Sequence, residues 1–436
     1  MNFKDLKLHP YLLEAIEERG YTEPSEIQKE AIPIVQSGRD LLASSQTGTG
    51  KTASFALPIL NAILKKEALA EGGKPEVHAL ILAPTRELVI QIRDNFKFYS
   101  KNTDIKTLPV YGGVKMEPQI IKLKKGVDVI IATPGRLIDL ILQKKINLSL
   151  LKTFVLDEAD RMLDMGFIDD IKTVFSRVPN DKQTLLFSAT YSPEIKYIAK
   201  TFMHNPAYVE VNPQNSTAEN ATHHAYLVQR PIKVALLEHL IKSEKWKQAL
   251  VFVNSKIWAE KVTDQLRDAG VHVDSIHSDK SQHARSNTMR AFKEGKVNIL
   301  IATDIAARGI DVQDMPYVVN FDLPKQGDDY VHRIGRTARA GESGEAITFI
   351  SEDERIHLKK IERYIKQKIE IIALPKVKFQ KGKKGDYQEG TRRPQPKAKT
   401  KPKNKHIPGK KQNQDKKKKA SQQNQSRKEN PLHKKK

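Results

Sequence analysis

Short apolar runs rich in Val, Ile and Leu recur along the chain, each too short to stand as a helix and each ending in a small or polar residue. The first series is DLLASS at 40–45, HALILAPT at 78–85, VDVIIATP at 127–134, TFVLDEAD at 153–160 and TLLFSAT at 184–190. A polar stretch, NPQNSTAENAT at 212–222, interrupts it. A second series then follows: HAYLVQ, ALVFVNS at 249–255, VHVDSIHS, NILIATD at 298–304, YVVNFD and AITFI. Runs of this kind, bounded by turn formers and separated by helical patterns, mark parallel strands buried on both faces. The chain's 436 residues also exceed what one core fills comfortably. The expectation is an α/β chain with two sheet domains in tandem, at 1–211 and 223–375, joined by a linker at 212–222. A terminal helix over EDERIHLKKIERYIK closes the second, and Pro375 marks the start of a tail.

Charge is concentrated in that tail. Residues 376–436 hold 23 Lys/Arg against 4 Asp/Glu, so +19 of the chain's formal +23 lies there. With few large apolar residues and many Lys, Gln, Asn and Pro, the segment is expected to be disordered. A basic arm binds polyanions by releasing counterions, and RNA, DNA and acidic membrane all qualify, as does a plain solubilising role. Cysteine is absent, which rules out disulfides, thiolate metal sites and Cys nucleophiles. No apolar run approaches the ~20 residues of a membrane span. A soluble, cytoplasmic protein is the expectation.

In open α/β sheets ligands bind beyond the carboxyl ends of the strands, and the chain's motifs sit there. SQTGTGKT runs from Ser45 through Gln46, Thr47, Gly48, Thr49, Gly50 and Lys51 to Thr52. Its glycines turn backbone N–H groups toward phosphate, Lys51 offers charge to the β/γ-phosphates, and Thr52 supplies a hydroxyl for Mg²⁺. Ser45 stands where the strict pattern has Gly, but the strand before and the helix after supply the context. DEAD at 157–160 ends another strand. Asp157 is costly to bury unless it meets a cation, and Mg²⁺ on a nucleotide is the obvious one. Glu158 is placed to orient and deprotonate a water. Far downstream, HRIGRTAR at 332–339 puts Arg336 and Arg339 three apart, able to reach a γ-phosphate across a cleft; taken alone, they suit a surface basic patch equally well. The set implies an ATPase split over two domains, with hydrolysis dependent on their approach.

With these motifs in order, the chain resembles the DEAD-box RNA helicases, and is especially similar to the bacterial RhlE-type subgroup. The resemblance implies two RecA-like domains, each a parallel sheet flanked by helices, with ATP and Mg²⁺ between them and RNA across both. By position, Phe3 and the GYTEPSEIQ segment, with Tyr21 and Gln28, match the family's adenine-reading segment: Phe3 stacks on the base and Gln28 bonds its edge. Without the family, Phe3 is a helix staple and Gln28 a surface residue. Asp311 in ARGID matches a ribose contact. Ser188 and Thr190 match residues that couple hydrolysis to unwinding through Asp160 and His332.

The family's RNA contacts fall on Pro84, Thr85 and Arg86 in PTREL, on Gly112 and Gly113, and on Thr133, Pro134, Gly135 and Arg136 in TPGR. In the second half they fall on Asn254, Ser255, Gln282 and Arg285, and on Thr303, Asp304, Arg308 and Gly309. Hydroxyls, arginines and glycines with few aromatics grip phosphate and 2′-OH groups without reading bases, so sequence-tolerant binding of single-stranded and duplex RNA is implied. The resemblance also implies local strand separation, with the tail tethering structured RNA or ribonucleoprotein. Protein partners are not indicated. Three departures from the family pattern, Val89, Ser278 and Ala338, remove no catalytic group. Two readings compete: an RNA annealer or scaffold driven by the tail, and a DNA helicase or translocase of the same fold.

Overall fold

The computed structural model describes residues 1–45, 49–67, 76–211, 221–307, 312, 314–337 and 344–377. Among these, the strands form two seven-stranded sheets in which every pairing is parallel. The first comprises β1 (Leu41–Ser44), β2 (Ala79–Leu82), β3 (Thr107–Val110), β4 (Val129–Ala132), β5 (Thr153–Leu156), β6 (Gln183–Ser188) and β7 (Ala207–Glu210), in the order β3-β4-β2-β5-β6-β1-β7. The second comprises β8 (Ala221–Leu227), β9 (Ala249–Val253), β10 (Val273–Ile276), β11 (Ile299–Thr303), β12 (Tyr317–Asn320), β13 (Gly344–Ile350) and β14 (Glu370–Ile372), in the order β10-β11-β9-β12-β13-β8-β14. Counted from its own first strand, the second order is identical to the first. One architecture is therefore built twice.

Burial explains why the strands read as unbroken apolar runs. In β1, Leu41 and Ala43 pack into one cluster with Phe55, Phe96 and Phe187, while Leu42 packs into another with Phe154 and Phe175. The same alternation places Val251 of β9 in one cluster and Leu250 and Phe252 in another. With both faces covered by helices, neither face can be polar. Every strand run expected from the sequence is present. The three strands not anticipated, β3, β7 and β14, all lie at sheet edges. β3 contains Pro109, which only an edge tolerates well, and β7 alternates buried with exposed residues. β8 starts at Ala221, inside the polar stretch at 212–222. The tail from 378 onward lies outside the described residues. No described helix is long and apolar enough to cross a membrane.

The helix Arg355–Ile365 confirms the terminal helix and packs on the helix Gly327–Ile334 that carries His332. Tyr364 hydrogen-bonds Asp328, and its ring lies so close to Gly327 that a Cβ there would overlap it, touching even the Tyr364 Cβ. Rotation of the ring cannot relieve that overlap. Gly327→Ala is therefore expected to destabilise the protein by about 1–3 kcal/mol in a urea melt, and Tyr364→Ala in the same background should recover part of the loss. Equal stability of Gly327→Ala and the parent would contradict this packing.

Candidate active site and nucleic-acid face

The phosphate cradle is built where β1 ends. Ser45 N donates to the Ser188 carbonyl on the neighbouring strand (3.1 Å), and Lys51 Nζ donates to the Ser45 carbonyl (2.8 Å). Lys51 is buried at the start of the helix Lys51–Glu67, with Thr52 beside it and half-buried. Gly50 has φ +94°, and a Cβ there would overlap the Gln28 amide. Glycine is thus favoured by the backbone, and a side chain there would displace the Gln28 amide. Ser25 Oγ donates to the Thr49 carbonyl (2.7 Å), and Ser45 and Thr49 hydroxyls are 3.0 Å apart. Gln46, Thr47 and Gly48 lie outside the described residues.

The segment that the resemblance assigns to adenine packs against the cradle. Phe3 is 5% exposed and belongs to the apolar core of the first lobe. Tyr21, at 46%, is the ring of that segment left open. Gln28 is buried, accepts from Ser25 N (3.1 Å) and donates to the Gly50 carbonyl (3.2 Å). Its amide therefore ties the segment to the cradle.

Across from the cradle, β5 delivers the acidic pair. Asp157 is buried, and its Oδ1 accepts from Glu158 N (3.0 Å). Burial pushes its pKa up to about 7, against the pull of the Lys51 ammonium and with a further push from Glu158. Glu158 has φ 51° and ψ 51°, the left-handed region that a non-glycine residue occupies at a cost, so strain is concentrated at the residue expected to act on water. Asp160 starts the coupling network: Oδ2 accepts from Ala189 N (2.9 Å) and lies 3.5 Å from Thr190 Oγ1. Ser188 Oγ in turn donates to the Thr190 carbonyl (2.9 Å).

The second lobe meets this edge through the helix Gly327–Ile334. Asp329 Oδ1 lies 3.4 Å from Nη1 of Arg161, the residue that follows DEAD. His332 Nδ1 is buried without a hydrogen-bond partner. Arg336 follows that helix, half-buried, and its carbonyl accepts from Met315 N (2.9 Å). Asp311, Arg339 and Ala338 lie outside the described residues. Arg333, unassigned by sequence, is fully buried and pairs with Asp304 (2.6 Å).

The residues expected at RNA cluster at helix N-termini beyond the strand ends. Thr85 caps the helix Arg86–Tyr99, Ser255 caps Lys256–Asp268, and Thr133 with Pro134 opens Pro134–Leu142. Such ends present amide donors and a positive dipole to phosphate. Gly112 and Gly113 lie under the Arg86 guanidinium; Gly113 has φ +76°, and a Cβ there would displace that guanidinium. Arg136 donates through both terminal nitrogens to the Val114 carbonyl (3.2 Å each), so two arginines clasp one loop. A Cβ at Gly135 would meet nothing within 4 Å, an open approach to the backbone. Gln282 and Arg285 of the second lobe pair with Glu87 of the first, each at 3.0 Å. Gln282 Oε1 and Arg285 Nε remain buried without a partner. Asn254 and Asp304 spend side-chain oxygens on Arg333, which gives them a loop-holding place. Thr303 ends β11, and Arg308 and Gly309 lie outside the described residues. Glu87, Arg161 and Asp329 were not singled out from the sequence. Their only signal is adjacency: Glu87 lies within PTREL, Arg161 follows DEAD, and Asp329 precedes HRIGR by three residues.

This geometry agrees with comparisons to known proteins. The DEAD/DEAH box helicase family matches residues 25–198, and the helicase conserved C-terminal domain matches 232–341. The chain belongs to the DEAD/DEAH box helicase family. RNA helicase CrhR of Synechocystis is 43% identical over 374 residues, spanning 86% of this chain and 74% of that protein. The DEAD-box ATP-dependent RNA helicase CshA of Bacillus subtilis is 40% identical over 375 residues, with the same coverage of both chains, 86% and 74%. Among solved structures, S. cerevisiae Dbp5 bound to RNA and ADP BeF3 superposes with a TM-score of 0.74 at 31% identity, over 85% of this chain and 95% of that one. The two sheets of this helicase are thus tandem RecA-like domains.

The raised pKa of Asp157 has a thermodynamic sign. Between the ordinary carboxylate range near 4 and about 7, the folded protein holds a proton that the unfolded chain has released, so this group's contribution to stability falls as pH rises through that window. Asp157→Asn removes the penalty. At pH 8 the nucleotide-free variant is expected to be more stable than the parent by roughly 1–3 kcal/mol, the gap narrowing to about a third of that at pH 5 and closing near pH 4, while ATPase activity is lost. Differential scanning calorimetry at both pH values checks it, and a lower melting temperature for the variant at pH 8 would refute it.

Proposed function

We infer that this chain is an ATP-dependent RNA helicase that separates RNA strands locally, with RNA-stimulated ATP hydrolysis in the cleft between its lobes. The observation that carries this reading is the meeting of the DEAD helix with the helix that leads to Arg336, across the Arg161–Asp329 contact. On one side lie the cradle, Lys51 and the acidic pair; on the other lies the arginine a γ-phosphate would need. The chain begins with the machinery to bind ATP and completes it only when the lobes are docked.

Each group has one task. The cradle amides, with Lys51, hold the β- and γ-phosphates. Asp157 and Thr52 would hold Mg²⁺, which fits a carboxyl whose ionised form burial disfavours and a cation would satisfy. When bound, that ion neutralises phosphate charge. Glu158 orients the attacking water and takes its proton. Arg336 and Arg339 stabilise charge on the transferred phosphoryl group. Asp160, Ser188 and Thr190 transmit the state of the site to the RNA side, with His332 as their partner on the second lobe. The capped helix ends and Arg86, Arg136, Gln282 and Arg285 hold the RNA backbone. The CrhR and CshA relatives match this core over 86% of the chain; the RhlE-type placement rests on the sequence pattern alone.

Steady-state ATPase assays with Mg²⁺ test this. Single-stranded RNA should stimulate turnover well above the basal rate, matched DNA should stimulate weakly, and Glu158→Gln should lower turnover by roughly 10²-fold or more. Equal stimulation by DNA would shift the reading to a general nucleic-acid motor. RNA binding without turnover would leave the scaffold.

The tail at 376–436 is proposed to tether structured RNA and raise its effective concentration at the core. Its removal should weaken duplex binding and flatten the salt dependence of affinity, leaving turnover at saturating RNA unchanged. An unaltered salt slope in a filter-binding titration would dismiss the tether.

A further inference from the structure

Arg161 is the first residue past the DEAD tetrapeptide, in the helix Ala159–Asp164. Its side chain is only 7% exposed, and its guanidinium has acidic neighbours on both lobes: Asp164 Oδ2 at 3.7 Å on its own helix, and Asp329 Oδ1 at 3.4 Å on the helix Gly327–Ile334. The backbone amide of Arg161 donates to Asp160 Oδ1 (2.9 Å), so the residue is joined directly to the carboxylate that holds Ala189 and Thr190. Asp329 lies three residues before His332 and seven before Arg336.

A guanidinium keeps its charge at any ordinary pH, and one this buried requires counter-charge. Asp164 is half-exposed and its charge is well screened by water. The Asp329 carboxylate is 20% exposed, closer, and available only when the lobes are docked. Docking thereby completes the neutralisation of Arg161, and it does so at one place on the second lobe. We propose that Arg161 and Asp329 are positioning residues for ATP hydrolysis, an interlobe pair that sets the register of the Gly327–Ile334 helix against the DEAD helix and so brings Arg336 to the nucleotide. The pair touches no reacting atom, and the proposal rests on the ATPase reading above.

The test uses the full-length protein in four forms besides the parent: Arg161→Met, Arg161→Lys, Asp329→Asn and the double variant Arg161→Met/Asp329→Asn. RNA-stimulated kcat and the KM for ATP are measured at saturating RNA, and melting temperature is recorded for each. The expected result is a roughly tenfold or larger fall in kcat for Arg161→Met and Asp329→Asn, with KM for ATP changed less than about threefold. The double variant should lose little more than the worse single variant, because both remove one interaction. Arg161→Lys, which keeps the charge, should retain more kcat than Arg161→Met. Losses that multiply in the double variant, or a fall carried by KM instead of kcat, would overturn the pairing. Should Arg161→Met prove poorly folded, Asp329→Asn decides alone through the same split of kcat from KM. A parent protein with no RNA-stimulated turnover would instead defeat the ATPase reading, an outcome distinct from any of these.

Discussion

An arginine with 1% of its surface exposed organises the working edge of the second lobe. Arg333 donates to both carboxylate oxygens of Asp304 (2.6 and 2.7 Å), to Asn320 Oδ1 (3.0 Å), to the Asp322 carbonyl (2.7 Å) and to Asn254 Oδ1 (3.1 Å). Its carbon lies 5.0 Å above the Phe252 ring. Those partners stand at or just beyond the carboxyl ends of β9, β11 and β12, three neighbouring strands. In a parallel sheet every such end leaves carbonyls and turn residues crowded on one edge, and a single planar cation with donors in a fixed fork can collect several at once. Breaking one side of such a buried set costs ~3–5 kcal/mol, because the remaining charge stays buried. The helix that carries Arg333 is therefore pinned to the sheet, and Asp329, His332 and Arg336 inherit their positions from it.

The first lobe handles buried charge in the opposite way. Asp157 has a backbone amide and the Lys51 ammonium near it, and burial still outweighs them, leaving its pKa near 7. Glu158 next to it holds a left-handed backbone conformation. Stability is given up at Asp157 and Glu158, the two residues proposed to act on nucleotide and water, while the residues around them are well satisfied: Asp160 by Arg161, Ala189 and Thr190, and Ser45 by Ser188. A site that is incomplete by itself gains the most from a ligand that brings a cation. The imbalance between the lobes is what makes nucleotide binding energetically consequential.

How far the sequence disclosed this follows from what each feature depends on. The central strands were legible because burial on both faces demands continuous apolar runs, as in Leu80 to Leu82 or Leu250 to Val253. The edge strands β3, β7 and β14 were not, because an edge admits Pro109, the polar face of β7 and the exposed Glu370. The cradle and the acidic pair were legible because their chemistry fixes residue type and spacing. Phe3 was placed on the base by resemblance, and the structure buries it in the core cluster of the first lobe, a packing that one aromatic residue does not disclose in sequence. Arg333 and Arg336 belong to one motif and look alike in sequence. Only burial distinguishes them: Arg333 is enclosed, and Arg336 is half-buried.

Contacts between the lobes differ in kind from contacts within them. Among the described residues, every hydrophobic cluster stays inside one lobe: two lie within residues 3–209 and three within 221–369. Polar contacts do cross: Glu87 meets Gln282 and Arg285, and Arg161 meets Asp329. An apolar interface of the same extent would hold the lobes together whether or not a ligand was present. Pairs of buried ions contribute little net stability, because desolvation offsets most of their attraction, yet they are exacting about geometry. Docking held by such pairs is specific in register and weak in energy. That combination lets ATP and RNA decide when the lobes close, since a ligand shifts an equilibrium only by the difference in its affinity for the two states, and a nearly balanced equilibrium needs only a modest difference.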